Sequence, residues 1–154
     1  MNPAEQMVED VMTPKVATAD LNSNARDCAK MMAKRGVSCA VIVQGGTAIG
    51  IVTERDLVSK VLADVLDPSK VLVRDIMSTP LITINPRSTL TQAAGLMAEY
   101  RIRRLVVIDA AGSLAGIITT GDIARALAEK QNYRVPALNA MARYKDGAEG
   151  GPYQ

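Results

Sequence analysis

At 154 residues with a formal net charge of +2, the chain suits one ordinary domain, and its mixed signs argue against an overall nucleic-acid interface, which needs a strongly basic face. Apolar residues make up 48% of it, yet it holds no Phe, Trp or His, so its core must be aliphatic, and a His general base, a Ser-His-Asp triad and a His metal ligand are all excluded. Cys28 and Cys39 without His do not make a four-ligand zinc site; with no secretory leader pattern, no disulfide framework and no apolar run long enough for a bilayer, the expectation is a cytoplasmic protein with reduced thiols, no metal and no membrane contact.

Along the chain, Val16 to Thr18 reads as a short extended piece. Asn22, Ser23 or Asn24 then caps a helix that carries Ala25, Cys28, Ala29 and Met32 at helical spacing and runs through Arg35 to a stop at Gly36. Two β-branched runs follow, Ala40–Val43 and Ala48–Val52, with Gln44-Gly45-Gly46-Thr47 between them as a hairpin turn. A helix over Glu54–Leu62 closes this stretch, and Pro68 in the connection 64–72 ends any attempt to prolong it. The same order then returns. Leu81–Ile84 is extended, a helix from about Ser88 carries Leu90, Ala93, Ala94, Met97 and Ala98, and the strands Leu105–Ile108 and Leu114–Ile118 flank a turn at Asp109–Gly112. A final helix spans about Thr120–Ala128, and the Gly-rich tail 139–154 is expected to be flexible or to dock on a partner.

The order β-α-β-β-α thus occurs twice, and the residues repeat with it. Gly50-Ile51-Val52-Thr53-Glu54-Arg55-Asp56 answers Gly116-Ile117-Ile118-Thr119-Thr120-Gly121-Asp122, and Val8-Glu9-Asp10-Val11-Met12 answers Val73-Arg74-Asp75-Ile76-Met77. The expected organisation is an α/β (α+β) fold with one repeat over 8–63 and a second over 73–130, packed as one pseudo-twofold module because each unit needs the other to bury its surface.

Thr-x-x-Asp at a strand-to-helix junction has two readings. In one, Thr53 with Asp56 and Thr119 with Asp122 are capping boxes that satisfy orphan backbone N–H groups. In the other, the preceding Gly50 and Gly116 open space beside the strand, Thr donates to a phosphate and Asp accepts from paired ribose hydroxyls. Those two roles describe a nucleotide. Arg101, Arg103 and Arg104 form the densest basic cluster, read either as solvated charge or as a phosphate clamp that exploits the planar guanidinium fork; Gly36, Ser38 and Cys39 stand at the matching places of the first repeat. Gly45-Gly46 is a turn, since no phosphate-loop pattern occurs.

The Met12-Thr13-Pro14 start, the β-α-β-β-α order, the Gly-Ile-Val-Thr-x-x-Asp close and the tandem repeat resemble a pair of cystathionine-β-synthase (CBS) domains, the Bateman module, over about residues 8–130. The resemblance implies a non-catalytic regulatory sensor that binds an adenosine-containing ligand (AMP, ADP, ATP or S-adenosylmethionine) in clefts between the repeats and associates as a dimer. It implies that Thr53 and Thr119 approach phosphate or ribose, and that Asp56 and Asp122 hold the ribose hydroxyls. Because such clefts take adenine contacts from the opposite repeat, Ser78, Ile82, Ile102 and Arg103 would face Thr53 and Asp56, with Arg55 and Arg104 adding charge. Thr13, Ala17, Val37 and Ser38 would face Thr119 and Asp122. Val106 stands where the family often has Pro. The Thr53 and Asp56 cleft is then the first choice for a phosphorylated ligand, and a homodimer signalling to an unidentified regulated protein is the expected assembly. The alternative class is a nucleic-acid-binding module using Arg101, Arg103, Arg104, Arg125 and Lys130, recognisable by a steep loss of affinity with salt. A hydrolase or transferase is disfavoured because no nucleophile-base pair is visible.

Overall fold

A computed structural model of the chain describes residues 6–130, so the expected tail at 139–154 lies outside the described residues. The fold is mixed α/β with two three-stranded sheets, ordered β1-β2-β3 and β4-β5-β6. The chain divides into two compact units: residues 17–81 form one, and residues 6–16 join 82–130 in the other.

In the unit of residues 17–81, β1 (Thr18–Asp20) leads through α1 (Ala25–Arg35) to β2 (Cys39–Gln44), β3 (Thr47–Thr53) and α2 (Glu54–Leu57). Of the three capping candidates the fold uses Asn24, whose side chain accepts the Asp27 N–H at 2.8 Å, and Gly36 ends α1 in the left-handed region at φ 62°. Gly45 and Gly46, at φ 55° and 82°, make the tight hairpin turn between β2 and β3. β1 runs parallel to β2 with Thr18 opposite Val41, and β2 runs antiparallel to β3 with Cys39 opposite Thr53. Cys28 and Met32 of α1 bury against Ile42 and Val52, and the core is completed by Val73 and Ile76 of α3 (Val73–Ile76). A fully buried aliphatic side chain of this kind contributes roughly 1.5–3 kcal/mol.

The second unit repeats the plan with β4 (Thr83–Ile84), α4 (Leu90–Tyr100), β5 (Arg104–Ile108), β6 (Leu114–Thr119) and α5 (Thr120–Lys130). Thr89, one residue past the expected start, caps α4 in a reciprocal box with Gln92. Arg101 ends α4 at φ 52°, the backbone conformation that Gly36 supplies in the first repeat. Leu90, Met97, Leu105, Val107, Ile118 and Ile123 make the core, together with Val8 from the 3-10 turn Val8–Asp10.

The sequence places Val8–Met12 with the first repeat, but the fold packs this lead-in segment with the second, and Val73–Met77 with the first. Thr13 bridges Ile117 of β6 through paired backbone bonds of 2.9 and 3.0 Å, and Ser78 bridges Ile51 of β3 at 2.9 and 3.3 Å. Each lead-in therefore covers an edge strand that would otherwise present unpaired backbone groups. The glycines serve this exchange. A Cβ built at Gly50 would lie 2.9 Å from the Met77 Cγ and nearer still to its sulfur; at Gly116 it would lie 2.7 Å from both the Met12 sulfur and the Thr13 carbonyl oxygen. The space expected to open for a ligand is filled by methionine.

Three boundaries differ from the periodicity. The first extended pieces lie slightly later, at Thr18–Asp20 and Thr83–Ile84, and the expected single helix Glu54–Leu62 is α only to Leu57 and continues as a π turn over Val58–Leu62. Val106, where the family often has Pro, keeps an N–H that donates to the Ile82 carbonyl at 3.4 Å, matching the bond from Val41 to Ala17 at 2.9 Å. Proline could not make it.

Candidate functional site

Both Thr-x-x-Asp segments sit where a strand turns into a helix, and both form capping boxes. Asp56 Oδ2 accepts from the Thr53 N–H at 2.8 Å and from the Thr53 hydroxyl at 3.1 Å, while Thr53 Oγ1 accepts the Asp56 N–H at 3.3 Å. In the other unit the Thr119 N–H donates to Asp122 Oδ2 at 2.9 Å and the Asp122 N–H to Thr119 Oγ1 at 3.1 Å. The capping reading is therefore realised in both copies. It does not use up the carboxylates.

Asp56 and Asp122 are only 7% and 6% exposed, and burial of an ionised carboxylate requires a partner. Each has a cation one helical turn on. Lys60 Nζ lies 2.9 Å from Asp56 Oδ1 and also donates to the Ile76 carbonyl at 2.9 Å, tying the carboxylate to the end of α3. Arg125 pairs with Asp122 Oδ1. Sequence reasoning missed Lys60 altogether and met Arg125 only in the nucleic-acid alternative, although the spacing of three to four residues from an acid on a helix was the available signal. A carboxylate offers about four acceptor positions. Asp56 fills three with these contacts and Asp122 two, leaving room for further donors.

The flanks of the two segments differ. Cys39 is the cross-strand partner of Thr53, and the Ser38 carbonyl accepts the Glu54 N–H at 3.0 Å. Arg104 is the partner of Thr119, and the Arg103 carbonyl accepts the Thr120 N–H at 2.9 Å. Directly opposed residues of an antiparallel pair share one face of the sheet with Cβ atoms about 4.5–5.5 Å apart.

The structure brings Ser78 beside Ile51, three residues before the Glu54 that opens α2, and Thr13 beside Ile117, in the unit of Thr119 and Asp122. Ile82, Ile102, Arg103 and Arg104, set by the resemblance against Thr53 and Asp56, belong to the unit of Thr119 and Asp122. Ala17, Val37 and Ser38 belong to the unit of Thr53 and Asp56. The Ser38 and Arg103 carbonyls, each one residue before the second strand of its unit, accept the first N–H of that unit's own closing helix, while the lead-in segments are exchanged. Arg55 is exposed on α2.

Among the described residues no group of three or more His, Cys, Asp or Glu is arranged to hold a metal, and no helix is long and apolar enough to cross a membrane. Burial pushes the Cys28 thiol up from its ordinary pKa.

The CBS domain family model matches the chain twice, over residues 8–63 and 73–129. An uncharacterised protein of Methanopyrus kandleri is 40% identical over 117 residues, covering 75% of this chain but only 60% of that relative, and the CBS domain-containing protein YhcV of Bacillus subtilis is 36% identical over 117 residues, covering 76% and 82%. Among solved structures, the CBS domain pair of protein MJ0100 in complex with 5′-methylthioadenosine and S-adenosyl-L-methionine superposes with a TM-score of 0.73 at 28% identity, covering 81% of this chain and 98% of that one. CBSX2 in complex with AMP gives a TM-score of 0.69 at 26% identity, again covering 81% and 98%. With its two matching repeats, two matching sheets and two Thr-x-x-Asp junctions, the chain belongs to the CBS domain family as a tandem pair.

Proposed function

We propose that the protein is a non-catalytic regulatory sensor that binds an adenosine-containing ligand, from the class of AMP, ADP, ATP and S-adenosylmethionine, through its two Thr-x-x-Asp segments. The observation that carries this reading is a buried, ionic carboxylate at the end of β3 and again at the end of β6, each with acceptor capacity left for a ribose diol after its capping and ion-pair contacts. The complexes of MJ0100 with 5′-methylthioadenosine and S-adenosyl-L-methionine and of CBSX2 with AMP support the ligand class. Ser78 beside β3 and Thr13 beside β6 are the lead-in residues assigned to the two sites.

The sensor acts as a homodimer on a regulated protein yet to be identified. Val58 and Leu62, 56% and 73% exposed on the π turn of one unit, and Leu127, 39% exposed on α5 of the other, supply apolar surface that a second copy would cover. Mass spectrometry of small molecules released when the freshly purified protein is denatured tests the ligand assignment. A stoichiometric adenosine compound is expected; stoichiometric release of a ligand without an adenosine moiety would overturn it.

A further inference from the structure

The acceptor capacity left on Asp56 lies on one oxygen. Asp56 Oδ2 takes the Thr53 N–H and hydroxyl, so a further donor must come to Oδ1, which already holds Lys60 Nζ at 2.9 Å. The same ammonium donates to the Ile76 carbonyl at 2.9 Å, one of the terminal carbonyls that the single turn of α3 leaves unpaired. Directly after it, Met77 is seated on Gly50, and Ser78 exchanges backbone bonds with Ile51, at 2.9 Å through its N–H and 3.3 Å through its carbonyl. One side chain thus joins the site carboxylate to the lead-in that carries Ser78. The second unit has no such tie. Ala126 stands at the place matching Lys60, Arg125 bonds Asp122 from the position before it, and among the described residues no side chain of α5 hydrogen-bonds residues 8–13.

We infer that Lys60 is a positioning residue that makes the seating of the lead-in 73–78 depend on occupancy at Asp56, and that the Asp122 segment lacks this response. The inference rests on the proposed reading of Asp56 as a ribose-binding group. A hydroxyl donated to Oδ1 displaces water from beside the Lys60 ammonium, whose side chain is 45% exposed. Removing water lowers the local dielectric, and both charge-assisted bonds of Lys60 strengthen. Ligand therefore tightens the hold on the Ile76 carbonyl and, through Met77, on the Ser78–Ile51 bridge. Linkage makes the effect mutual: a lead-in held by Lys60 raises affinity at Asp56 by the same factor. Arg125 gains in the same way on Asp122, but its gain stops at the carboxylate.

Residue-resolved amide exchange and titration calorimetry with adenosine, on the ligand-free full-length protein and on Lys60→Met and Lys60→Arg, test the inference, with thermal unfolding as a check that each variant folds. Lys60→Met keeps the aliphatic stem and removes the charge. Without ligand it should speed exchange at the Ser78 and Ile51 amides at least about threefold, the size of a partly exposed charged bond, and leave Thr13 and Ile117 unchanged. Adenosine should slow exchange at Ser78 and Ile51 in wild type but not in Lys60→Met, where its affinity should fall at least about threefold; Lys60→Arg should keep most of both effects. Wild-type affinity and wild-type slowing in Lys60→Met, unchanged ligand-free exchange, or equal acceleration at Thr13 and Ile117 would each overturn the coupling while leaving Asp56 as a ribose-binding group. Absence of heat from adenosine, AMP and S-adenosylmethionine with wild type at millimolar concentration would instead overturn the ribose-binding reading, and the coupling with it.

Discussion

Adding one methyl group at Gly50 or at Gly116 should have unequal consequences, because the atoms in the way differ. At Gly116 the new Cβ would come 2.7 Å from the Thr13 carbonyl oxygen, a backbone atom held by the Thr13–Ile117 bridge, and 2.7 Å from the Met12 sulfur. At Gly50 the obstacles are all Met77 side-chain atoms, with Cγ at 2.9 Å and Cβ at 3.2 Å, and a methionine can change rotamer. Overpacking costs about 1–3 kcal/mol, offset by about 0.4–1 kcal/mol from the reduced freedom of the unfolded chain when Gly becomes Ala. Gly116→Ala should therefore fall near the top of that range, about 2–3 kcal/mol, since the bridge must move. Gly50→Ala should stay near or below about 1 kcal/mol. For a protein of this length each kcal/mol corresponds to roughly 2–4 °C in Tm, so calorimetry or denaturant titration separates the two variants. Met77→Ala should then offset part of the loss in Gly50→Ala, with a coupling of about 0.5 kcal/mol or more in a double-mutant cycle, while Met12→Ala should rescue Gly116→Ala only weakly because the Thr13 carbonyl remains. Equal losses at the two glycines, or strict additivity of Gly50→Ala with Met77→Ala, would refute the argument that these glycines seat the lead-in methionines.

Asp56→Asn keeps one oxygen for the Thr53 N–H but turns an amide N–H₂ toward Lys60 Nζ; because Lys60 is 45% exposed and water can take over its ammonium, the loss of stability read by urea titration should be about 1–2 kcal/mol rather than the larger penalty of a fully buried charge. The same change should weaken adenosine binding at least tenfold, about 1.4 kcal/mol. Arg101→Gly and Val65→Gly should each raise stability by about 0.5–1 kcal/mol in thermal unfolding, since both residues occupy the left-handed region, at φ 52° and 56°, without a Gly backbone. Val65 is 90% exposed and Arg101 is exposed, so little packing is lost. Leu62→Lys together with Leu127→Lys should shift sedimentation from dimer to monomer if those surfaces meet a second copy.

Local chemistry announced much of this fold. Gly36 stops α1, Gly45-Gly46 makes the hairpin, Asn24 and Thr89 cap their helices, and the change from helical to alternating period finds β2, β3, β5 and β6 within a residue or two. These signals act between neighbours along the chain, so they are readable from it. The exchange of lead-in segments is not, because Val8–Met12 and Val73–Met77 have the same pattern and either could cover either sheet edge. What selects between them is long-range: the bridges from Thr13 to Ile117 and from Ser78 to Ile51, and the methionines seated on Gly116 and Gly50. The π turn at Val58–Leu62 carries no Gly or Pro to announce it. At the candidate site, the Thr-x-x-Asp pairs and the asymmetric arginines were legible as residue types. The cross-strand pairing of Arg104 with Thr119 was not, since it depends on the register of β5 against β6.

The central claim is that this tandem CBS protein binds an adenosine ligand through Asp56 and Asp122. Its most direct test is thermal unfolding of protein first shown to be ligand-free, measured with AMP, ADP, ATP, S-adenosylmethionine and adenosine, for wild type and for the Asp56→Asn/Asp122→Asn double variant. At 100-fold excess over its dissociation constant a ligand that binds only the folded state adds about 2.7 kcal/mol, so at least one compound should raise the wild-type Tm by roughly 5–10 °C and leave the double variant nearly unmoved. No shift with any of the five at millimolar concentration, or an equal shift in the double variant, would contradict the account.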